Sequence, residues 1–203
     1  MLSATAVVAL HDQLTEAAHQ SDRAALNLPE EWLGRVARQH MANFDLWHIE
    51  DEARNPLASD ADLAQVKRRI DRTNQLRNDL AEQLDVALLG WLEPQSLPRA
   101  GTPLHSESPG LIIDRLSILA LKIYHTREET LRRDAPTGHQ ERNQGRLAVL
   151  TEQRSDLAAC LDELWSQTLA GNRRFKLYRQ FKMYNDPTLN PVLYAQSGSG
   201  KRS

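Results

Sequence analysis

The segment Gly110-Leu-Ile-Ile-Asp-Arg-Leu-Ser-Ile-Leu-Ala-Leu-Lys-Ile-Tyr-His125 does most to limit what this chain can fold into. Wound as a helix, it is apolar on nearly every side, through Leu111, Ile112, Ile113, Leu116, Ile118, Leu119, Leu121 and Ile123. A helix with no polar face is stable in water only when other elements cover it all round. The stretch from Gly110 to about Arg133 is therefore expected at the centre of the domain. Few β-branched runs occur elsewhere, so the cover is expected to be helical as well.

The remaining periodicities supply that cover. Ser3 to about His19 reads as a first helix, apolar through Val7, Val8, Leu10 and Leu14. A second runs from Pro29, suited to the first helical position, to about Arg54, where Asn55-Pro56 stops it. Ser59 with Asp62 three residues on forms an approximate capping box for a third. The stripe of that helix is Leu63, Val66, Ile70, Ala81, Leu84 and Leu88. Residues 93–109 carry Pro94, Pro98, Pro103 and Pro109 and cannot hold regular structure; so long a loop is more often functional or mobile than idle. After a turn at Asp134-Ala-Pro-Thr-Gly138, a fifth helix shows Leu147, Leu150, Leu157, Leu161, Leu164 and Trp165 on one face, with Gly171 as its stop. The expected architecture is all-α: a single domain over 1–196, a bundle of about five main helices plus a C-terminal amphipathic helix, with 197–203 as a disordered tail.

With 203 residues the chain suffices for one well-buried core, and two domains would be cramped. Its 25 basic and 27 acidic residues give a formal charge of −2, which argues against nucleic acid or an anionic membrane as a whole-protein partner. The single cysteine excludes an internal disulfide. No apolar run is long enough to span a bilayer and no leader-like pattern opens the chain, so a cytoplasmic protein is expected.

Against this ordinary background the second helix departs from rule. Starting from Val36 at roughly 100° per residue, one face collects Trp32, Leu33, Val36, His40, Asn43, Trp47, Glu50, Asp51 and Arg54. Its first half is an apolar core face; its second half replaces leucines with an imidazole, an amide, an indole, two carboxylates and a guanidinium. The third helix does the same midway, with Asn74 and Arg77 on its stripe, flanked by Asp71 and Asn78. Burying such groups costs several kcal/mol unless each is paired, so they demand partners within the protein or from a ligand. One reading is a buried polar network that fixes helix register. The other is a site in which Glu50 and Asp51 act as general base or hold Mg²⁺ or Mn²⁺, ions that prefer oxygen ligands. His48 falls about a third of a turn off the stripe and reads as a packing or surface histidine.

Two further constellations carry charge. In Ser106-Glu-Ser-Pro-Gly110, the loop delivers Glu107 and Ser108 to the fourth helix; Ser108 caps it, and its free first-turn amides could receive an anion with Arg115 and Lys122 adding positive charge. In Arg173–Pro187, five cations interleave with Phe175, Tyr178, Phe181 and Tyr184. That pattern suits stacking on single-stranded nucleic acid or, at helical spacing, docking of an amphipathic helix on the bundle. No nucleophile elbow, phosphate-binding glycine loop or Cys-x-x-Cys motif occurs.

The motifs Asp45-Leu-Trp-His-x-Glu-Asp-x-Ala-Arg54, Asp71-x-x-Asn74-x-x-Arg77-Asn78, Glu107-Ser-Pro-Gly-x-Ile-Ile-Asp-Arg115 and Tyr178-Arg-Gln-Phe-Lys-Met-Tyr-Asn-Asp-Pro187 resemble those of a bacterial domain-of-unknown-function family, number 4254, over nearly the whole chain. The resemblance implies no catalytic residues. It implies a loose association with genes for envelope glycans and glycosyltransferases. The functional expectation is a pocket for a small phosphorylated ligand, a nucleotide or sugar nucleotide, built by His40, Asn43, Trp47, Arg54, Asn74, Arg77, Asn78, Glu107, Ser108, Arg115 and Lys122. Two alternatives stand beside it. One is a non-enzymatic protein that docks on a partner such as a glycosyltransferase. The other is a Mg²⁺-dependent hydrolase similar to the all-α nucleotide pyrophosphatases, whose paired Glu-x-x-Glu and Glu-x-x-Asp spacing is not reproduced here.

Overall fold

The computed structural model describes residues 2–20, 31–181 and 188–192. Its helices are α1 (Ala4–Gln20), α2 (Glu31–Glu52), α3 (Asp60–Leu92), α4 (Pro109–Leu131) and α5 (His139–Leu169), with one 3₁₀ turn at Glu93–Gln95. The protein is an all-α bundle, and α4 is the helix that packs against the other four. The reason is the one its sequence supplies: Ile112, Ile113, Leu116, Ala120, Leu121 and Ile123 point to different sides of α4, and all are buried. Around them lie Val7 and Leu14 of α1, Val36 and Phe44 of α2, Leu84 and Leu88 of α3, and Leu161 and Leu164 of α5.

Local chemistry sets the helix ends. Ser59 caps α3 by accepting from the Asp62 amide at 3.2 Å, and the Asp62 carboxylate accepts the Ser59 amide at 3.1 Å, so both halves of the capping box form. Pro109 takes the first position of α4, where no amide is needed. The α4 N-terminus is held against α3: the Asp85 carboxylate accepts the Gly110 amide at 2.7 Å and also the Ser108 hydroxyl. A Cβ on Gly110 would collide with the carbonyl oxygen of Ala81, so only glycine allows this approach of α4 to α3. α5 ends at Gly171, whose φ of +71° suits glycine.

The basic-aromatic stretch departs from expectation. Residues 173–181 are not helical. Arg174 pairs with the 93–108 loop instead: its amide donates to the Pro103 carbonyl at 3.0 Å, and its own carbonyl accepts the His105 amide at 2.8 Å. Phe175 is driven into the core, 1 % exposed, and Arg179 reaches Glu82 on α3 at 3.6 Å. Pairing of two loops and burial of one ring thus outweigh the helical spacing of the aromatics. The expected helix start at Pro29, the Tyr184 turn and the terminal tail lie outside the described residues. No helix among the described residues is long and apolar enough to cross a membrane.

Candidate functional site

The polar half of the α2 stripe divides in two. Gln39, His40 and Asn43 are buried, whereas Glu50 is half-buried and Asp51 and Arg54 are exposed. The stripe gives a direction round the helix but not whether a neighbour lies there, and in the last turn of α2 Ile49 is covered while Glu50 and Asp51 are not. Arg54 folds back on its own helix, 3.2 Å from the Glu50 carboxylate. Glu52 instead pairs with Arg69 of α3. The inward set expected as His40 to Arg54 therefore stops at Trp47, and its carboxylate comes from α4 as Asp114.

Asp114 closes a continuous network. One of its oxygens accepts the side-chain amides of Gln39 at 2.6 Å and Asn43 at 2.9 Å. The other faces the Arg77 guanidinium of α3 at 3.2 Å. Asn43 also donates to the Ser117 hydroxyl at 3.0 Å, and Ser117 lies 2.8 Å from His40 Nδ1. His40 Nε2 lies 3.0 Å from the Thr15 hydroxyl of α1. Thr15 donates its own proton to the His11 carbonyl at 2.8 Å, so its oxygen must accept from His40, and Nε2 carries the imidazole proton. His40 Nδ1 is then the acceptor for Ser117 O–H. Protons therefore run outward from the Asn43 amide, one to Asp114 and the other through Ser117, His40 and Thr15 to the His11 carbonyl, with donor and acceptor matched at each step.

Burial sets the charge states. It pulls His40 down to about 3, and it pulls down His11, which stacks on His40 at 4.7 Å, with His40 and Arg154 adding to the effect. Both rings are neutral near pH 7. Burial pushes Asp114 up, while Arg77, Asn43 and Gln39 act to keep it charged. The network ties α1, α2, α3 and α4 together. Asn74 and Asn78 are half-buried beside Arg77 on α3.

The other expected cations lie on a different face of α4. Arg115 and Lys122 line a groove of about 680 Å³ between α4 and α5, over a floor of Ile112, Ile118, Leu119 and Leu157. The loop contributes His105, Ser106 and Glu107, and α5 contributes Asp156. Both oxygens of Glu107 accept from Arg115, at 2.7 and 2.9 Å. Ser108 does not reach this groove; it is fully buried against Asp85. The Gly110 amide at the helix start is taken by the same carboxylate, so an anion from the chain itself holds the place expected for a ligand. Burial pushes Asp85 up to about 6 against the pull of these two bonds. The expected ligand-binding residues thus fall into five places: the surface end of α2 (Arg54), the buried network with its α3 flank (His40, Asn43, Asn74, Arg77, Asn78), the α3–α4 contact (Ser108), the α4–α5 groove (Glu107, Arg115, Lys122) and a ring cluster against α4 (Trp47).

Glu50 and Asp51, expected as metal ligands, belong to no set of three potential ligands within reach of one ion among the described residues. Such a set does form from His19, His48 and His125 on α1, α2 and α4. Sequence reasoning passed over it because no spacing motif joins three helices so far apart in the chain. The one legible trace was the ladder His11, Thr15, His19 at intervals of four on α1. Trp47 belongs to this cluster, its indole stacked on the His125 ring at 5.0 Å and 9°.

No curated protein and no solved structure matches the chain. A family model, that of the proteins of unknown function termed DUF4254, matches residues 34–177, from the first turn of α2 to just past the loop pairing at Arg174. The chain belongs to that family.

Proposed function

We propose that this protein binds a small phosphorylated ligand, a nucleotide or sugar nucleotide, in the groove between α4 and α5. The observation that carries the reading is the composition of that groove. Its volume of about 680 Å³ falls within the range of small-molecule sites. Two cations, Arg115 and Lys122, stand on one wall seven residues apart, roughly 10 Å along the helix, a separation that suits a diphosphate and its flanking groups. The apolar floor suits a base or a sugar face. Glu107 acts as a stand-in anion on Arg115, which a phosphate with more oxygens and more charge displaces. Asp156 on the opposite wall would be available to the Mg²⁺ that accompanies such phosphates. A place in envelope-glycan synthesis rests on family resemblance alone and would follow if a nucleotide sugar is the ligand.

The test is a thermal-shift and calorimetric screen against nucleotides, nucleotide sugars and inorganic phosphate, with and without Mg²⁺. A ligand at ~100 times its Kd stabilises by about 2.7 kcal/mol. Arg115→Ala and Lys122→Ala are expected to weaken binding at least about tenfold each, and Glu107→Gln to tighten it. A shift that survives both alanine variants would remove the ligand from this groove. A screen without any response would leave the second reading, a docking protein, which Phe181 favours by standing 81 % exposed beside Arg179.

A further inference from the structure

We infer that His19, His48 and His125 form a binding site for a first-row divalent transition ion, with Zn²⁺ the leading occupant. The site lies apart from the α4–α5 groove and does not depend on the reading given to it. One potential ligand nitrogen from each ring lies within 4.8 Å of the other two. Around a tetrahedral ion with Zn–N of about 2.0–2.1 Å, the nitrogens would stand roughly 3.3 Å apart. Small side-chain rotations on three helices cover that difference.

Proximity alone would describe any cluster of histidines. The direction of the protons is the second observation. His19 Nδ1 lies 2.7 Å from the Thr15 carbonyl, which can only accept, so Nδ1 carries the proton and Nε2 carries a lone pair. His125 Nδ1 lies 2.8 Å from a carboxylate oxygen of Glu128, with the same consequence. Both Nε2 atoms are shielded from solvent and have no hydrogen-bond partner among the described residues. A buried acceptor left unmet is unfavourable and rare. Such atoms occur elsewhere among the described residues, both nitrogens of His11 included, but here two stand on neighbouring rings of a group whose nitrogens converge. An imidazole that gives one N–H to a backbone carbonyl or carboxylate and turns its other nitrogen inward is the arrangement metal-ligating histidines adopt.

The surroundings fit as well. Tyr124 stacks on His19 at 4.3 Å, Phe44 packs edge-on to His19 and His48, and Trp47 stacks on His125. These rings hold the imidazole planes in a half-buried aromatic setting. Three nitrogens and no carboxylate in direct reach select Zn²⁺, Co²⁺, Ni²⁺, Cu²⁺ or Fe²⁺ over Mg²⁺ and Ca²⁺. Three protein ligands leave one position for water or an anionic oxygen, the pattern of reactive rather than purely structural zinc sites. An ion here would join α1, α2 and α4 at the His125 end of α4.

The untagged full chain, freed of metal with a chelator and returned to buffer, is titrated with Zn²⁺, Co²⁺ and Mg²⁺. One equivalent of Zn²⁺ or Co²⁺ is expected to bind and raise Tm, with no response to Mg²⁺. Co²⁺ is also expected to quench the fluorescence of Trp47, a change lost in Trp47→Phe. His48→Ala and His125→Ala are each expected to weaken binding more than about a hundredfold, and Glu128→Gln by about tenfold, since it removes only the orienting carboxylate. Circular dichroism checks that each variant folds, and the titration of the unaltered chain decides the matter if one does not. Absence of stoichiometric binding by the unaltered chain, or binding that persists when His48 and His125 are both replaced, would overturn the inference.

Discussion

Replacing Gly110 with alanine tests the central packing of the bundle. The added Cβ would fall well under 3.0 Å from the Ala81 carbonyl oxygen and 2.9 Å from the Asp85 carboxylate, whereas ordinary contacts begin near 3.4 Å. The nearest atom belongs to helical backbone, so relief requires α4 to withdraw from α3 by on the order of 1 Å. Overpacking of this kind costs about 1–3 kcal/mol. Withdrawal also stretches the 2.7 Å bond from the Gly110 amide to Asp85, a charged hydrogen bond worth about 1.5–3 kcal/mol. Alanine recovers at most about 1 kcal/mol of helix propensity. The net loss is expected at about 2–4 kcal/mol, or roughly 5–15 °C in Tm for a chain of this size. Gly90 and Gly145 are internal controls: both lie in helices with nothing within 4 Å of where a Cβ would stand, so alanine there is expected to stabilise by about 0.5–1 kcal/mol. Urea unfolding followed by helical circular dichroism measures all three. A Gly110→Ala variant within ~0.5 kcal/mol of the parent, or a Gly145→Ala variant that falls as far, would refute the reasoning.

Acid should unfold the protein through its buried imidazoles. His40 is depressed to about 3 and His11 is also lowered, so their contribution is whole above the ordinary histidine value near 6.5. It is lost as pH falls below that, at about 1.4 kcal/mol per pH unit per ring. Asp85, raised to about 6, binds its proton earlier in the fold than in the open chain and opposes this loss between roughly pH 6 and 4. Urea midpoints are therefore expected to fall from pH 7 to pH 5, and more steeply in Asp85→Asn; a flat profile would contradict the buried neutral pair. Phe175→Ala is expected to cost about 3–5 kcal/mol and Phe181→Ala less than ~0.5, a contrast that checks by thermal melting the extended path of residues 173–181. Arg77→Ala leaves Asp114 charged without its cation, a loss expected at about 1–3 kcal/mol after allowance for the quarter-exposed Arg77 side chain, and Asp114→Asn in the same chain should restore part of it in a double-mutant cycle.

Much of the fold is legible in the sequence because helical elements are written locally. The apolar girth of α4 places it at the centre, Ser59 and Asp62 mark the start of α3, and Gly171 marks the end of α5. What the sequence leaves open is how far along each face a neighbour reaches. The α2 stripe continues through Glu50 and Arg54, but α4 covers α2 only as far as Trp47 and His48, so those last charges stay at the surface. The aromatics after Arg173 keep helical spacing, yet their backbone partner is a loop some 70 positions earlier, at Pro103 and His105. Asp85 has the same character: within α3 it is one more polar residue, and its role appears only when α4 begins beside it. Local pattern fixes elements; the partners of polar groups are long-range facts.

The same distinction separates the polar regions of the molecule by purpose. From the Asn43 amide, protons run one way to Asp114 and the other way through Ser117 and His40 to Thr15, and the carboxylate faces a guanidinium, so among the described residues this network is answered within the fold except at Gln39 Oε1 and Arg77 Nε. Such a network accounts for its own burial and specifies how α1, α2, α3 and α4 register. One turn along α1 the balance changes. The carbonyl of Thr15 fixes the His19 tautomer, and Glu128 fixes that of His125, but no hydrogen-bonding group among the described residues answers the two remaining nitrogens. Polar groups satisfied by their own chain explain a structure. Lone pairs that the chain itself orients and then leaves unmet call for something from outside it, and two imidazoles beside a third are chemically suited to only a few such things.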